Sequence, residues 1–201
     1  MPSHTAKSLF ELNIKSSDHL LKLYEGIERL APSEENLWLL RAVIVLTASS
    51  LDAYFHDKIK YRAGHYEITT LPKALQNFKV ELGGLAAWDR VERKGNVLRN
   101  WVVEHFSTRP LQKSEDIKEA LKLVDIEDVW GKTEPNSPKR DIMLKTFRDI
   151  TRRRNQIAHE GDRLPHRAGG KKVRPIDKAY AEEAVKFARD LVQKIENVFP
   201  K

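Results

Sequence analysis

The stretch Arg152-Arg153-Arg154-Asn155-Gln156-Ile157-Ala158-His159-Glu160-Gly161-Asp162 sets one imidazole among fixed cations and a carboxamide. If it is helical, Asn155 and His159, four apart, share a face, and Arg152, seven before His159, lies on that face too. Arg154 precedes His159 by five positions, about 140° around an ideal helix. Its long side chain could still swing toward His159, especially if the helix loosens near Gly161. The carboxyl end of a helix favours a charged imidazole, while neighbouring arginines oppose it. Such a proton donor or acceptor among cations suits phosphodiester chemistry. Cleavage of RNA by its own 2′-hydroxyl needs a base near that oxygen, an acid near the leaving 5′-oxygen, and positive charge on the transition state. Histidine serves as acid or base and arginine as the phosphate clamp, with no metal required. On residue types alone, a solvated cationic helix end fits the same string.

The charge around this stretch is localised. The 201-residue chain carries 36 Lys+Arg against 29 Asp+Glu, a net charge of +7. Between Lys145 and Arg174 there are ten basic residues against three acids, so this window holds the entire excess. A concentrated excess of this kind is the footprint expected of a polyanion site. A solvated charged helix and loop would also produce it.

Several chemistries are excluded by residue type. The chain has no cysteine, which removes disulfides, zinc–thiolate sites, iron–sulfur clusters and thiol nucleophiles. Neither a GxxxxGK[ST] nor a GxGxxG phosphate loop is present, nor HExxH. His4, His19, His56, His65, His105 and His166 are scattered without paired metal spacing, and Asp52 and His56, one helical turn apart, read as a polar pair. No metal and no cofactor is expected. The longest apolar run, Ala42 to Ala48, is short and contains Thr47, so no membrane span is expected, and the N-terminus has no apolar core of signal-peptide type. The expectation is a cytoplasmic protein.

The elements that must hold these residues read as helices nearly throughout, and no convincing alternating strand appears. An amphipathic pattern covers Asp18 to Leu30, Ser33 is a candidate N-cap, and Leu37 to Ile59 is apolar on almost all sides, with Gly64 as its end. Leu71-Pro72 opens a helical stretch that Gly83-Gly84 interrupts, and Trp88 to Phe106 is again helix-like. Ser114 is a candidate N-cap for a short helix, and Gly131 to Pro138 reads as a loop. A helix from about Arg140 to His159 ends at Gly161. An exposed loop at 162–175 carries five basic residues, and a last helix starts near Ile176. The expected fold is all-α, a bundle of roughly five to seven helices. Residues 1–201 read as one domain, with the N-terminal ~30 residues as an added helix and 162–175 as a basic loop.

Three stretches in order resemble the HEPN superfamily (higher eukaryotes and prokaryotes nucleotide-binding), and within it the RiboL-PSP-HEPN branch. Arg154-Asn155 followed by Gln-Ile-Ala-His159 resembles its Arg–polar–x–His signature, and the longer RRNQIAHEGD is more specific. LLRAVIVLTASSLDAYFHD (Leu39 to Asp57) is similar to the family's buried second helix, and SEDIKEALKLVDIEDVWGK (Ser114 to Lys132) to its middle segment. The resemblance covers about residues 35 to 195.

It implies an all-α bundle and, in many members, a metal-independent endoribonuclease of toxin–antitoxin, phage-defence or RNA-processing systems. Such proteins commonly form homodimers whose motifs face each other across a composite cleft, leaving 2′,3′-cyclic phosphate and 5′-hydroxyl ends. By position, Arg154 would be the phosphate clamp, His159 the acid/base group and Asn155 the polar support. Arg152, Arg153, Arg163, Arg167, Lys171 and Lys172 are candidate RNA contacts, and Asp52 and Glu160 candidate supporting residues. Which of the three adjacent arginines faces the cleft stays open. The implied partners are RNA, a second copy of the chain, and an antitoxin or regulator. The alternative is a module that binds RNA or an acidic protein without cutting. A third, weaker option is nucleotidyl transfer, expected in a neighbouring protein rather than in this chain.

Overall fold

The computed structural model describes residues 5–66, 70–77, 79, 90, 94–106, 108–164 and 172–199. Among them are eight α-helices: α1 (Ala6–Leu30), α2 (Leu37–Ala63), α3 (Lys73–Gln76), α4 (Lys94–Phe106), α5 (Ser114–Lys122), α6 (Val129–Thr133), α7 (Ser137–Glu160) and α8 (Lys178–Val198). The expected break at Gly83-Gly84 and the start at Trp88 lie outside the described residues.

α1 begins twelve residues before the expected Asp18. Thr5 starts it with a reciprocal cap: its Oγ1 accepts from the Ser8 N–H at 3.1 Å, and Ser8 Oγ accepts from the Thr5 N–H at 2.8 Å. The added turns bury Phe10 and Ile14 at the spacing of one helix face. Ser33 caps a short 3₁₀ turn (Glu34–Asn36), its Oγ accepting from the Glu35 N–H, and leads into α2.

α2 is the central helix, packed by α1, α4, α7 and α8. Leu40, Val43, Ile44, Leu51, Tyr54, Phe55 and Ile59 are all buried, which is why it is apolar on every side. With the preceding turn it has a mean hydropathy of 1.4 over an 18-residue window, so on length and composition it could cross a membrane, contrary to the expectation from its interrupted apolar run. Half of that window is buried inside the bundle, and Arg41 and Lys58 within the helix are ion-paired.

Edge-to-face aromatic contacts tie the bundle together. Phe10 meets Tyr54 at 5.9 Å, Tyr54 meets Phe55 at 5.3 Å, and Phe55 meets both Trp130 and Phe147 at 6.2 and 6.4 Å. The chain of rings joins α1, α2, α6 and α7. At the far end, Tyr54 Oη and Lys58 Nζ both donate to Glu196 Oε1 of α8 at 2.7 Å.

Two further boundaries differ from the sequence expectation. Lys113, in an extended conformation, and not Ser114 is the N-cap residue of α5, and two residues before it the Leu111 N–H donates to Asp52 of α2 at 2.6 Å. The stretch expected to be a loop from Gly131 to Pro138 contributes three residues to α6 and two to α7. Asp128, at φ 49°, caps α6 through the Gly131 N–H, and a Cβ on Gly131 would lie 2.2 Å from the Asp128 carboxylate. Asn136 then caps α7, with Pro138 in its first turn, where a missing N–H costs nothing.

Candidate functional site

α7 positions the motif. Met143, Phe147, Ile150 and Thr151 anchor its inner face, and the helix stays regular through Glu160. It stops at Gly161, φ 60°, where the Gly161 and Asp162 N–H groups both bond the Gln156 carbonyl. The end is therefore closed rather than loosened, and Arg154 keeps its helical offset from His159.

The three adjacent arginines have three different fates. Arg152 is exposed and pairs with Asp149 at 3.1 Å, one turn back. Arg153 turns inward: its Nη2 lies 2.9 Å from Asp162 Oδ2 and also donates to the Pro175 carbonyl at 2.9 Å and the Arg174 carbonyl at 3.2 Å. Burial pushes the Arg153 guanidinium below its usual range, and the Asp162 carboxylate is the main opposing influence. Arg154 is half-buried, and its Nη1 donates to Asn155 Oδ1 at 3.0 Å. Among the described residues no carboxylate pairs with Arg154 or with His159, which is exposed on the last turn.

Asp162 is the hub beside this site. It is fully buried, at φ 58°, and its Oδ2 accepts from Arg41 Nε at 2.7 Å as well as from Arg153. Arg41 Nη2 also donates to the Arg174 carbonyl at 2.8 Å. α2 and α7 thus meet on one carboxylate at the start of the basic loop, and the loop's far end joins them through the Arg174 and Pro175 carbonyls. A buried carboxylate needs this pairing, because leaving it unpaired in the interior is expensive. The loop root is ordered by an antiparallel bridge between Arg163 and Val173, with the Leu164 N–H bonding the Lys172 carbonyl at 2.8 Å. Arg163 and Lys172 are exposed at that root, while Arg167 and Lys171 lie outside the described residues.

The remaining candidates are engaged elsewhere. Glu160 pairs with Arg174 at 3.0 Å. Asp52 accepts from the Leu111 N–H and lies 3.8 Å from His56 Nε2, and no contact joins it to Arg154 or His159 among the described residues. A groove of about 1420 Å³ runs beside α7. α7 contributes Asp141, Lys145, Arg148, Arg152, Asn155 and Glu160 to its lining, and the facing side contributes Arg109, Lys113, Glu115, Asp116 and Glu119.

Arg41, Asp162 and Arg174 are the residues that sequence reading missed. The signal available for Arg41 was a charge inside an otherwise apolar helix, which demands a buried partner. Nothing in the sequence named Asp162 as that partner.

No curated protein and no solved structure matches the chain. The RiboL-PSP-HEPN family model matches residues 11–199. That span takes in α1 from its second turn, the buried α2, the closed end of α7 and all of α8. With its all-helical bundle and RRNQIAHEGD on the last turns of α7, the chain belongs to the RiboL-PSP-HEPN family.

Proposed function

We propose that the protein is a metal-independent endoribonuclease that cleaves RNA by 2′-hydroxyl transesterification. One observation carries this reading: of the three adjacent arginines, Arg152 and Arg153 each pair with a carboxylate, and among the described residues Arg154 pairs with none. A guanidinium held only by a neutral carboxamide keeps its full charge for a phosphate. In this reading Arg154 clamps the scissile phosphate, Asn155 fixes its guanidinium, and His159 exchanges the proton. Arg163 and Lys172 at the loop root draw in the strand, and Arg153 serves as an internal anchor.

Acid and base must act on opposite sides of the phosphorus, and each chain brings one motif histidine. A second copy facing the first across a shared cleft would supply the other. The chain then acts as one helical domain, dimeric and cytoplasmic, as a toxin or phage-defence effector with a regulatory partner.

A second reading, a module that binds without cutting, draws on the groove beside α7. Its lining mixes cations with carboxylates, which suits a protein partner better than a polyanion. The deciding experiment incubates purified wild-type and His159→Ala protein with a mixed RNA pool in EDTA and analyses the product ends. Cyclic-phosphate and 5′-hydroxyl ends made by wild type alone are expected. Equal cleavage by His159→Ala overturns the catalytic reading, and no cleavage by either protein moves the weight to the binding module.

A further inference from the structure

Trp38 differs from the other described tryptophans. Trp130 is buried, with its indole N–H bonded to the Ser114 carbonyl, and Trp101 packs half-buried against the core. Trp38, in the first turn of α2, is 47% exposed, and its indole N–H donates to no described residue. One large aromatic surface is thus left in solvent, where burying it would have gained free energy.

The ring has a fixed backing. The Arg41 guanidinium lies over it at 4.8 Å from the ring centroid. Arg41 is itself buried and held by Asp162 and the Arg174 carbonyl, so the backing cannot swing away without breaking the loop root. The same carboxylate that anchors Arg153 therefore also fixes the support under Trp38. Trp38 is thus linked through Arg41 and Asp162 to Arg153 of the motif helix. The exposed cations Arg163 and Lys172 stand on the loop root that Arg41 holds.

Single-stranded nucleic acid is bound by two features together: an aromatic face on which a base stacks and cations that follow the phosphates. Both occur here. Resting on the ribonuclease reading above, we propose that Trp38 is a nucleobase-stacking subsite, which takes an unpaired base of the RNA beside the motif while Arg163 and Lys172 meet its phosphates. Glu34, one turn before Trp38, disfavours phosphates on its own side, so the strand runs toward the loop. The subsite accepts any base, since every base offers a π-face, and it selects single-stranded over duplex RNA.

The test uses full-length His159→Ala protein, which leaves the RNA uncut, and a fluorescent single-stranded RNA of about 12 nucleotides. Trp38→Ala and Trp38→Leu should weaken binding about 10-fold or more, and Trp38→Phe much less, because phenylalanine still stacks. The slope of log affinity against log salt should not change in the Trp38 variants, whereas Lys172→Ala should reduce it by about 1. Circular dichroism on each variant confirms the fold. If Trp38→Ala binds as the parent does, the subsite is wrong and the RNA reading stands. If Trp38→Leu binds as Trp38→Phe does, the ring only packs and stacking is refuted. If the folded parent binds no RNA at all, the subsite and the RNA reading fall together.

Discussion

Arg153 and Arg154 are neighbours in sequence on one helix, yet one is part of the framework and the other is available for chemistry. Arg153 points into a junction where a fully buried carboxylate and two carbonyls take up its donors. Arg154, about 100° further round the helix, has the Asn155 carboxamide oxygen as its one hydrogen-bond partner among the described residues. The difference teaches that a run of like residues is sorted by what surrounds each position. A cation beside a buried acid holds structure, and a cation beside a neutral group keeps its charge for a ligand. The Asp162 junction and the exposed last turn of α7 are in this sense two halves of one device, since the first fixes where the second stands.

The sharpest way to break the comparison is to exchange the fates of the two arginines. Arg154→Ala is expected to lower kcat/KM for RNA by about 10²–10³-fold, as loss of one transition-state donor does, with little change in urea unfolding. Arg153→Ala should do the reverse, reducing stability first. Full activity in Arg154→Ala beside a stable, inactive Arg153→Ala would reverse the assignment.

Asp162→Ala tests the junction itself. It leaves Arg41 and Arg153 without a counter-ion in the interior, and breaking such a buried pair costs about 3–5 kcal/mol, readable as a lower urea midpoint. Asp162→Asn keeps the shape and should cost less. A midpoint unchanged in Asp162→Ala would mean that the loop root does not depend on this carboxylate.

Away from both regions, Asp52→Ala strands the Leu111 N–H and should cost about 1–3 kcal/mol, with hydrogen exchange rising first at the entry to α5. Cleavage by that variant, measured where it is fully folded, is expected to persist. Its selective loss would bring Asp52 into the active centre after all. The smallest effect belongs to Arg152→Ala. Its pair with Asp149 is 68% exposed on the arginine side, so about 0–1 kcal/mol is expected from thermal or urea unfolding.

Much of the fold was legible because burial repeats with the helix. α2 stood out as the central helix by having no polar face, and α8 by a clean stripe through Ala184, Ala188, Leu191 and Ile195. Gly161 was legible as the end of α7 because a residue without a Cβ adopts the left-handed turn at little cost. The first turns of α1 were missed because Phe10 and Ile14 are sparse and a Thr5–Ser8 cap lacks the acidic partner that usually marks one. The helical part of the Gly131–Pro138 segment was missed because Asp128 starts α6 from a left-handed conformation that turn-rich composition conceals.

By itself the sequence determined the all-helical class, the position of the motif near the end of α7 and the concentration of charge around it. These follow from residue type and from spacing along one helix, which are local properties. Only the tertiary structure decided which of the three adjacent arginines has no carboxylate partner among the described residues, that Arg41 from α2 supports the motif's loop, and that Trp38 stands exposed against Arg41. Those facts depend on Arg41 and Asp162, 121 positions apart in the chain, meeting at 2.7 Å. Helical periodicity carries no information about such a pairing, because a buried charge requires a partner without specifying where along the chain it lies.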